Sequence, residues 1–411
     1  MQHDQEKLNS LTTIVLGFLL LSPIFDLITS IFLHITGHST PVVLGIKVGF
    51  LIYLFYQTLK LQGRKCWIWY YFLLALYFLV FFFVTYQTKA VSVFLYEGQN
   101  LFRTFYFPLL LPLILYLVQE KKLTIPKKYF VFVFLEYLVL LFVPIITRTG
   151  FDSYAYSKTG SIGWFYSTNE IGGIFAILGP IFLLQLKQYH PALRIVLLLI
   201  YVFVLFSMGT KVPILAFLLT LFLYFIYFFY HAKKGQRKKY LIIGGTSLLI
   251  GIIGLTLFLP KTSFYKNLQI HLDFLEIHSP TDLLTFEKID HFIFSERLSF
   301  LLDTKANYDK SSLFEKLFGI GAIENYATDQ VNTKTIEMDY YDIFYRYGII
   351  GTILFFLPLV WCFWKKNVFP IDISFSIFFI FLLSFFSGHI LVAPSVSFLI
   401  ALMLNCQEEE V

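Results

Sequence analysis

Charge is what this sequence has least of. Only 14% of its 411 residues are Asp, Glu, Lys or Arg, against 57% hydrophobic and 20% aromatic, a balance that excludes an ordinary water-soluble domain. Polar and apolar residues do not alternate at strand spacing, which excludes a closed β-barrel. Cysteine is nearly absent: Cys66, Cys362 and Cys406 are too few and scattered for a disulfide framework. No phosphate-binding glycine loop, dinucleotide fingerprint, nucleophile elbow or zinc-protease motif occurs. The histidines His271, His278 and His291 lack metal-ligand spacing, so neither cofactor nor metal is expected. The chain also lacks internal repeats and low-complexity tracts.

What it has in abundance is apolar sequence in runs of about 18 residues or more, enough for a helix to cross hydrocarbon. The chain therefore reads as an all-α polytopic membrane protein of the cell (plasma) membrane with about twelve transmembrane helices. They are expected roughly at 11–33, 40–60, 66–87, 100–119, 128–147, 169–187, 192–208, 211–230, 240–260, 340–363, 371–388 and 392–406. The polar start runs into the first apolar stretch without a small-residue cleavage site, so that stretch reads as a retained helix.

The connectors divide by charge. One set carries Lys7, Lys60, Arg64, Lys65, Lys121, Lys122, Lys127, Lys128, Lys187, Arg194, the basic cluster at 233–239, Lys365 and Lys366. The other short connectors carry only Lys89, Arg148, Lys158 and Lys211. Cytoplasmic loops collect Lys and Arg, so the first set and both termini are expected in the cytoplasm. Trp67, Trp69, Trp361 and Trp364 then fall at inner helix ends and Trp164 at an outer one, as interfacial indoles should. The net charge of +6 is thereby topogenic, and its partner is the lipid bilayer, not nucleic acid.

This topology divides the chain into nine transmembrane helices in 1–260, a large extracellular loop at 261–339, and three helices with a short cytoplasmic tail in 340–411. The loop is acidic and partly helical. Ser279-Pro280-Thr281-Asp282 has the form of a capped helix start, and Leu283, Leu284, Phe286, Ile289, Ile293 and Phe294 continue an apolar face to about Leu302. Ser312-Leu-Phe-Glu315 predicts a second, short helix that Gly319 or Gly321 stops. Such a segment is expected to lie over the outer surface as a lid.

Ionisable groups in or near membrane spans are costly to keep and mark function. Asp26, Lys47, Arg103, Glu170, Lys211, Asp342, Arg346 and His389 fall on the outer half, and Glu136 near the middle of its span. Asp339, Asp342 and Arg346, at i, i+3 and i+7, share one face of the helix entering the membrane; Asp342 and Arg346 also fit a plain i,i+4 ion pair. Glu337, Asp339 and Asp342 repel one another unless they have partners or work, such as general-base removal of a sugar hydroxyl proton. Arg103, Arg148, Lys211 and Arg297 are the cationic counterpart, suited to phosphate oxygens, although Arg148 also reads as an ordinary loop charge. His389, in Ser387-Gly-His-Ile-Leu-Val-Ala-Pro394, fits either a packed histidine or a catalytic one.

Four passages together resemble the O-antigen ligase and O-antigen polymerase superfamily, most closely its Gram-positive capsule or exopolysaccharide polymerase-like members. Ser161-Ile-Gly-Trp-Phe-Tyr-Ser-Thr-Asn169-Glu170-Ile-Gly-Gly is similar to the family's Gly-x-Phe…Asn segment. Ser207-Met-Gly-Thr-Lys211 is similar to its Ser-x-Ser-Arg stretch. Glu296-Arg297 followed by Leu317-Phe-Gly-Ile-Gly321 resembles the arginine and Gly-x-Gly of its external loop, and Glu337-Met-Asp…Tyr-Gly348-Ile-Ile-Gly351 its loop-to-helix passage. Lys211 stands where many members have arginine, and acidic Glu337-x-Asp339 replaces a common His-Asn, which favours the polymerase-like branch.

The resemblance implies glycosyl transfer outside the membrane, from a polyprenyl-diphosphate-linked glycan donor to a glycan acceptor, beside other polysaccharide-assembly proteins and without a nucleotide sugar or metal. On that reading Arg297, Lys211, Arg148 and Arg103 hold the diphosphate, and Glu337, Asp339 or Asp342 activates the acceptor. Asn169, Glu170, Arg346 and His389 support them. The competing reading is a transporter or flippase of lipid-linked oligosaccharide, for which Glu136 in mid-span speaks. Such proteins tend to show repeat symmetry and short loops on both sides, unlike this chain. A non-catalytic assembly partner is a third reading.

Overall fold

A computed structural model describes residues 2–37, 41–61, 67–89, 93–120, 122–153, 158–279, 281–282, 285–322, 336–366 and 368–407. Cys66, Arg64, Lys65, Lys121, Pro280, Leu283 and Leu284, on which parts of the sequence reading rest, lie outside the described residues. The apolar runs fold as helices because in hydrocarbon each backbone N–H and C=O must find its partner within its own segment. In order they are α1 (Gln2–Thr36), α2 (Pro41–Lys60), α3 (Trp67–Thr88), α4 (Phe94–Gln119), α5 (Lys128–Thr147), α6 (Thr168–Gln185), α7 (Pro191–Met208), α8 (Lys211–His231) and α9 (Lys234–Phe258). The 261–339 segment contributes α10 (Ser263–Phe274), α11 (Phe286–Ile289), α12 (Arg297–Lys310) and α13 (Leu313–Phe318). The chain then returns through α14 (Asp339–Lys365), α15 (Ile371–Phe386) and α16 (Pro394–Met403). Among the described residues, β structure is confined to isolated bridges.

Each stretch expected to span is helical. Nine helices among the described residues, α1 to α8 and α14, are long and apolar enough to cross a membrane, and α15 and α16 are shorter apolar helices. The bundle is built around α4 and α6, each 72% buried along its span, whereas α7 is 22% buried and peripheral. Helix α4 is flanked by α2, α3, α14 and α16, and α6 by α5, α8, α15 and α16. Without a hydrophobic drive between helices in lipid, polar contacts help fix their register. Tyr224 Oη donates to the Pro180 carbonyl at 2.8 Å and Ser376 Oγ to that of Ile177 at 2.6 Å.

The segment between α9 and α14 differs in part from its sequence reading. No continuous helix runs from Ser279 to Leu302. Thr285 caps α11 instead, a π-turn follows at 290–294, and Ser295 and Glu296 turn left-handed with φ of 55° and 68° before α12 begins. The apolar spacing missed this break because Asp290 supplies it from within the sequence. Its buried carboxylate accepts from the amides of Leu298 and Ser299 at 2.8 and 2.9 Å, capping α12 from the preceding turn. Helix α10, with no counterpart in the sequence reading, is capped by Thr262. The Ser312 capping box and the stop at Gly319 stand as expected. Trp67 departs from the interfacial pattern: it is fully buried against Phe55, Tyr71 and Tyr116, where α2, α3 and α4 meet. Trp69 and Trp364 remain exposed.

Candidate active site

The N-terminus of α14 meets the turn between α15 and α16, and the acidic residues there are not equivalent. Asp339 is fully buried, and its Oδ2 accepts from the amides of Ile390 and Leu391 at 3.0 and 2.7 Å. That contact fastens the 387–391 turn to α14. Asp342 accepts from the amides of Ile336 and Met338 at 3.1 and 3.2 Å, folding the approach to α14 back onto the helix. Arg346 Nε lies 3.3 Å from Asp342, so the i,i+4 pair forms.

Glu337 and His389 sit on adjacent turns, both left-handed, with φ of 60° and 58°. Non-glycine residues rarely adopt this region, which costs on the order of 1–3 kcal/mol each and clusters at functional sites. Gly388 lets the turns meet: a Cβ there would overlap the Glu337 backbone. The result places Glu337 Oε1 3.7 Å from His389 Nε2, at ion-pair distance. Arg297, the first residue of α12 and 9% exposed, reaches the other carboxylate oxygen, with Nη2 at 2.8 Å from Oε2. Its Nη1 lies 3.5 Å from the Phe386 carbonyl at the end of α15. Among the described residues, Arg297 Nε and Asp339 Oδ1 are buried without a hydrogen-bond partner, and such atoms are costly unless something fills the role.

The charges respond to this packing. His389 facing it, against some burial and with Arg297 beside it, holds the Glu337 carboxyl down to about 2. Burial disfavours a charged His389, but Glu337 outweighs it, with Glu170 and Asp339 adding their charge, so the imidazole sits above its ordinary value. A cavity of about 50 Å³ is lined by Thr104, Glu337, Asp339, Asp342, Arg346, Tyr347 and His389, with Arg297 paired to Glu337 but not on the cavity wall. It holds a water or two and admits a reacting hydroxyl rather than a whole sugar. The sequence reading missed Thr104 and Tyr347, whose hydroxyls stand 3.1 Å apart at its wall. No local motif marks Thr104, and Tyr347 stands in the Tyr-Gly348-Ile-Ile-Gly351 passage with no role assigned to it there.

The other predicted cations lie apart from this cavity. Lys211, at the start of α8, donates to the Phe292 carbonyl at 2.5 Å and sits 4.2 Å over that residue's ring. His271, near Lys211, Lys158 and His291, is pushed down to about 4 by burial and those positive charges. This second basic cluster shares the 290–297 segment with Arg297 but not the cavity. Arg148 is the exposed left-handed residue closing α5, and Arg103 is exposed on α4 beside Thr104. Asn169 and Glu170 are in the first turn of α6, where Ser167 Oγ accepts from the Glu170 amide at 3.4 Å. Glu170 acts on His389 by charge.

The lid is docked by contacts the sequence hid. Gly319, with φ of 101°, packs directly on the Arg346 and Tyr347 backbone, where a Cβ would clash. Tyr77 Oη contacts both the Phe318 and Tyr347 carbonyls, at 3.1 and 2.8 Å. Glu97, buried and ion-paired with Lys89, accepts from the Ala322 amide at 3.0 and 2.8 Å. A carboxylate just inside an apolar run is the signal by which Glu97 was discoverable. No cluster of potential metal ligands occurs among the described residues.

No curated protein and no solved structure matches the chain significantly. A family model described as O-antigen ligase like membrane protein matches residues 8–282 and 279–406, nearly the whole chain. The chain therefore belongs to the O-antigen ligase-like family of multi-pass membrane proteins, enzymes of glycosyltransferase type in surface polysaccharide assembly.

Proposed function

We propose that this chain transfers a glycan from a polyprenyl-diphosphate donor to a hydroxyl of a second glycan at the outer face of the plasma membrane. In doing so it polymerises, or ligates, repeat units of a surface polysaccharide such as a capsule or exopolysaccharide. The observation that carries this reading is the meeting of Arg297, Glu337 and His389, with Glu337 and His389 on the wall of a cavity, Arg297 paired to the far oxygen of Glu337, and one guanidinium N–H left unpartnered. Arginine presents a planar fork that matches phosphate oxygens, and fixed positive charge is most effective where a leaving diphosphate gains charge. Lys211 and its neighbouring basic cluster offer a second contact for the same extended anion. Asp339 and Asp342 are committed to backbone amides, so they hold the site's shape while Glu337 and His389 face the acceptor. An apolar groove of about 440 Å³ along α2, α3 and α4, lined by Phe55, Tyr71, Phe72 and Phe78, has room for part of a prenyl chain.

The test is deletion in the native host followed by complementation. Wild-type protein should restore long polysaccharide chains, and Arg297→Ala should leave single exported repeat units. Normal chain lengths with Arg297→Ala would overturn the diphosphate assignment. Lipid-linked repeat units trapped on the cytoplasmic face of the deletion strain would overturn the transferase in favour of a flippase.

A further inference from the structure

Four groups at the cavity are able in principle to accept a proton: Glu337, Asp339, Asp342 and His389. The geometry separates them. Asp339 is fully buried, and Asp342 accepts from two amides and pairs with Arg346. Glu337 has a cationic or proton-donating group against each oxygen, Arg297 on Oε2 and the His389 ring on Oε1. A carboxylate held in this way is a poor proton acceptor. His389 lines the cavity with 31% of its side chain exposed, so an incoming hydroxyl reaches its ring without displacing a structural bond.

The orientation of the ring also matters. Nε2 faces Glu337, and a carboxylate there retains the proton on Nε2, which leaves Nδ1 with a free lone pair. This arrangement resembles in logic a carboxylate fixing the tautomer of a catalytic histidine. The charges acting on the ring are acidic, Glu337 from the loop before α14, Asp339 from α14 and Glu170 from α6, while Arg297 of α12 pairs with the far oxygen of Glu337 and the Asp342–Arg346 pair of α14 shares the cavity wall.

We propose that His389 is the general base of the transfer reaction and that Glu337 is its positioning residue. The proposal rests on the glycosyl-transfer reading above. Nδ1 takes the acceptor hydroxyl proton as the hydroxyl oxygen bonds to the donor's anomeric carbon. The bond from that carbon to the diphosphate oxygen breaks, and its electron pair leaves with the polyprenyl diphosphate, facing Arg297. The imidazolium then returns its proton to water. Glu337 balances the imidazolium charge while it lasts, and its carboxylate raises the basicity of the ring.

The experiment uses the full chain in lipid nanodiscs, with lipid-linked oligosaccharide extracted from the deletion strain as substrate. His389→Gln should lose about 10²- to 10⁴-fold in transfer, the range for removing a general base. For the wild type, kcat/KM should rise with pH as the ring loses its proton. In Glu337→Gln that rise should move to lower pH, and this variant should keep more activity than Glu337→Ala because its amide oxygen still offers Nε2 a polar partner. Near-wild-type transfer by His389→Gln would overturn the proposal. A rate that falls rather than rises through the same pH range would also overturn it, since the ring would then act as a cation on the diphosphate.

A second measurement reads the pair without turnover. Acylation of His389 by diethylpyrocarbonate, followed by mass spectrometry, reports the neutral ring, and its midpoint should fall in Glu337→Gln. An unchanged midpoint would overturn the coupling. Absence of transfer by the wild-type chain would overturn both the donor reading and the base role, while the acylation curve would still decide whether Glu337 tunes His389.

Discussion

At the end of the bundle away from the lid, charged side chains are closed on a carboxylate or on backbone carbonyls. Lys127 Nζ lies 3.0 and 3.2 Å from the two oxygens of Asp372, at the starts of α5 and α15. Lys366 donates at 2.9 Å to the carbonyls of Leu404 and Cys406 just beyond α16, and Arg194 caps the carbonyls of Leu186, Lys187 and Tyr189 beyond α6. At the lid end Glu97 also pairs with Lys89 and Asp342 with Arg346, but three further charges converge on one another. Glu337 and His389 line a cavity with Arg297 paired to Glu337, two atoms of charged groups (Arg297 Nε and Asp339 Oδ1) have no hydrogen-bond partner among the described residues, and the backbone is left-handed at Glu296, Glu337 and His389. Matched burial stabilises or positions helices; convergence with spare valence is the arrangement that a ligand completes. The difference separates structural charge from working charge without reference to any motif.

Two substitutions, one at each end, put that distinction at risk. Lys127→Ala strands the Asp372 carboxylate and should cost about 3–5 kcal/mol of stability, read as a lower thermal midpoint in nanodiscs, with transfer per folded molecule intact. Arg297→Ala should do the reverse, cutting transfer about 10²- to 10³-fold with a smaller change in midpoint. If Lys127→Ala abolished transfer at unchanged stability, the two ends would not differ in the way argued.

Within the lid end, Asp339 and Glu337 should behave differently although they are two residues apart. Asp339→Ala leaves the amides of Ile390 and Leu391 without their acceptor, at about 1–3 kcal/mol for each buried group left unpaired. Thermal unfolding should show that loss, and transfer should fall with it because His389 rides on the same turn. Asp339→Asn should recover part of the midpoint, since its amide oxygen still accepts. A midpoint unchanged in both variants would mean that the turn is held by other contacts.

The sequence made the helices legible because hydrocarbon permits so few alternatives: each of the twelve expected stretches is helical, and among the described residues nine helices are long and apolar enough to cross a membrane. It exposed the acidic passage at Glu337–Asp342 and Arg297, whose charges are conspicuous against so apolar a background. It did not reveal that Asp339 and Asp342 would be consumed by backbone amides, since those amides are formed by turns whose shape depends on Gly388 and on left-handed Glu337. Nor did it bring His389 to Glu337, because the 387–391 turn reaches α14 only after α15 has crossed the bundle and returned. The 290–297 break was hidden for another reason. Its apolar spacing is helical, and only the through-space cap by Asp290 shows where α12 begins.

The Glu337–His389 pair predicts two opposite pH responses. Glu337 is lowered from 4.5 to about 2, so its contribution is present above the ordinary value and lost as pH falls through about 2. His389 is raised, so its contribution is present below the ordinary imidazole value and lost as pH rises through its folded-state value. The midpoint difference between wild type and Glu337→Gln should therefore be largest between these two titrations, shrinking toward both acid and alkaline pH. A difference that stays constant on the alkaline side would separate Glu337 from His389.

The smallest expected effect asks whether lid and site unfold together. Ser312 Oγ accepts from the Glu315 amide at 3.3 Å, and Glu315 Oε2 accepts from the Ser312 amide at 2.7 Å, closing the box at the exposed start of α13. Ser312→Ala should cost about 1 kcal/mol, enough to speed hydrogen exchange of the 313–318 amides several-fold. Helix α13 leads directly into Gly319, which packs on Arg346 and Tyr347, but the approach to α14 is also held by Asp342 through the Ile336 and Met338 amides, and α14 itself packs on α3, α4 and α15. Exchange at 339–347 should consequently stay unchanged, with the lid loosening as a unit of its own. Faster exchange at 339–347 as well would join α13 to the site, and the boundary between cover and working charge would then lie outside the lid rather than at Gly319.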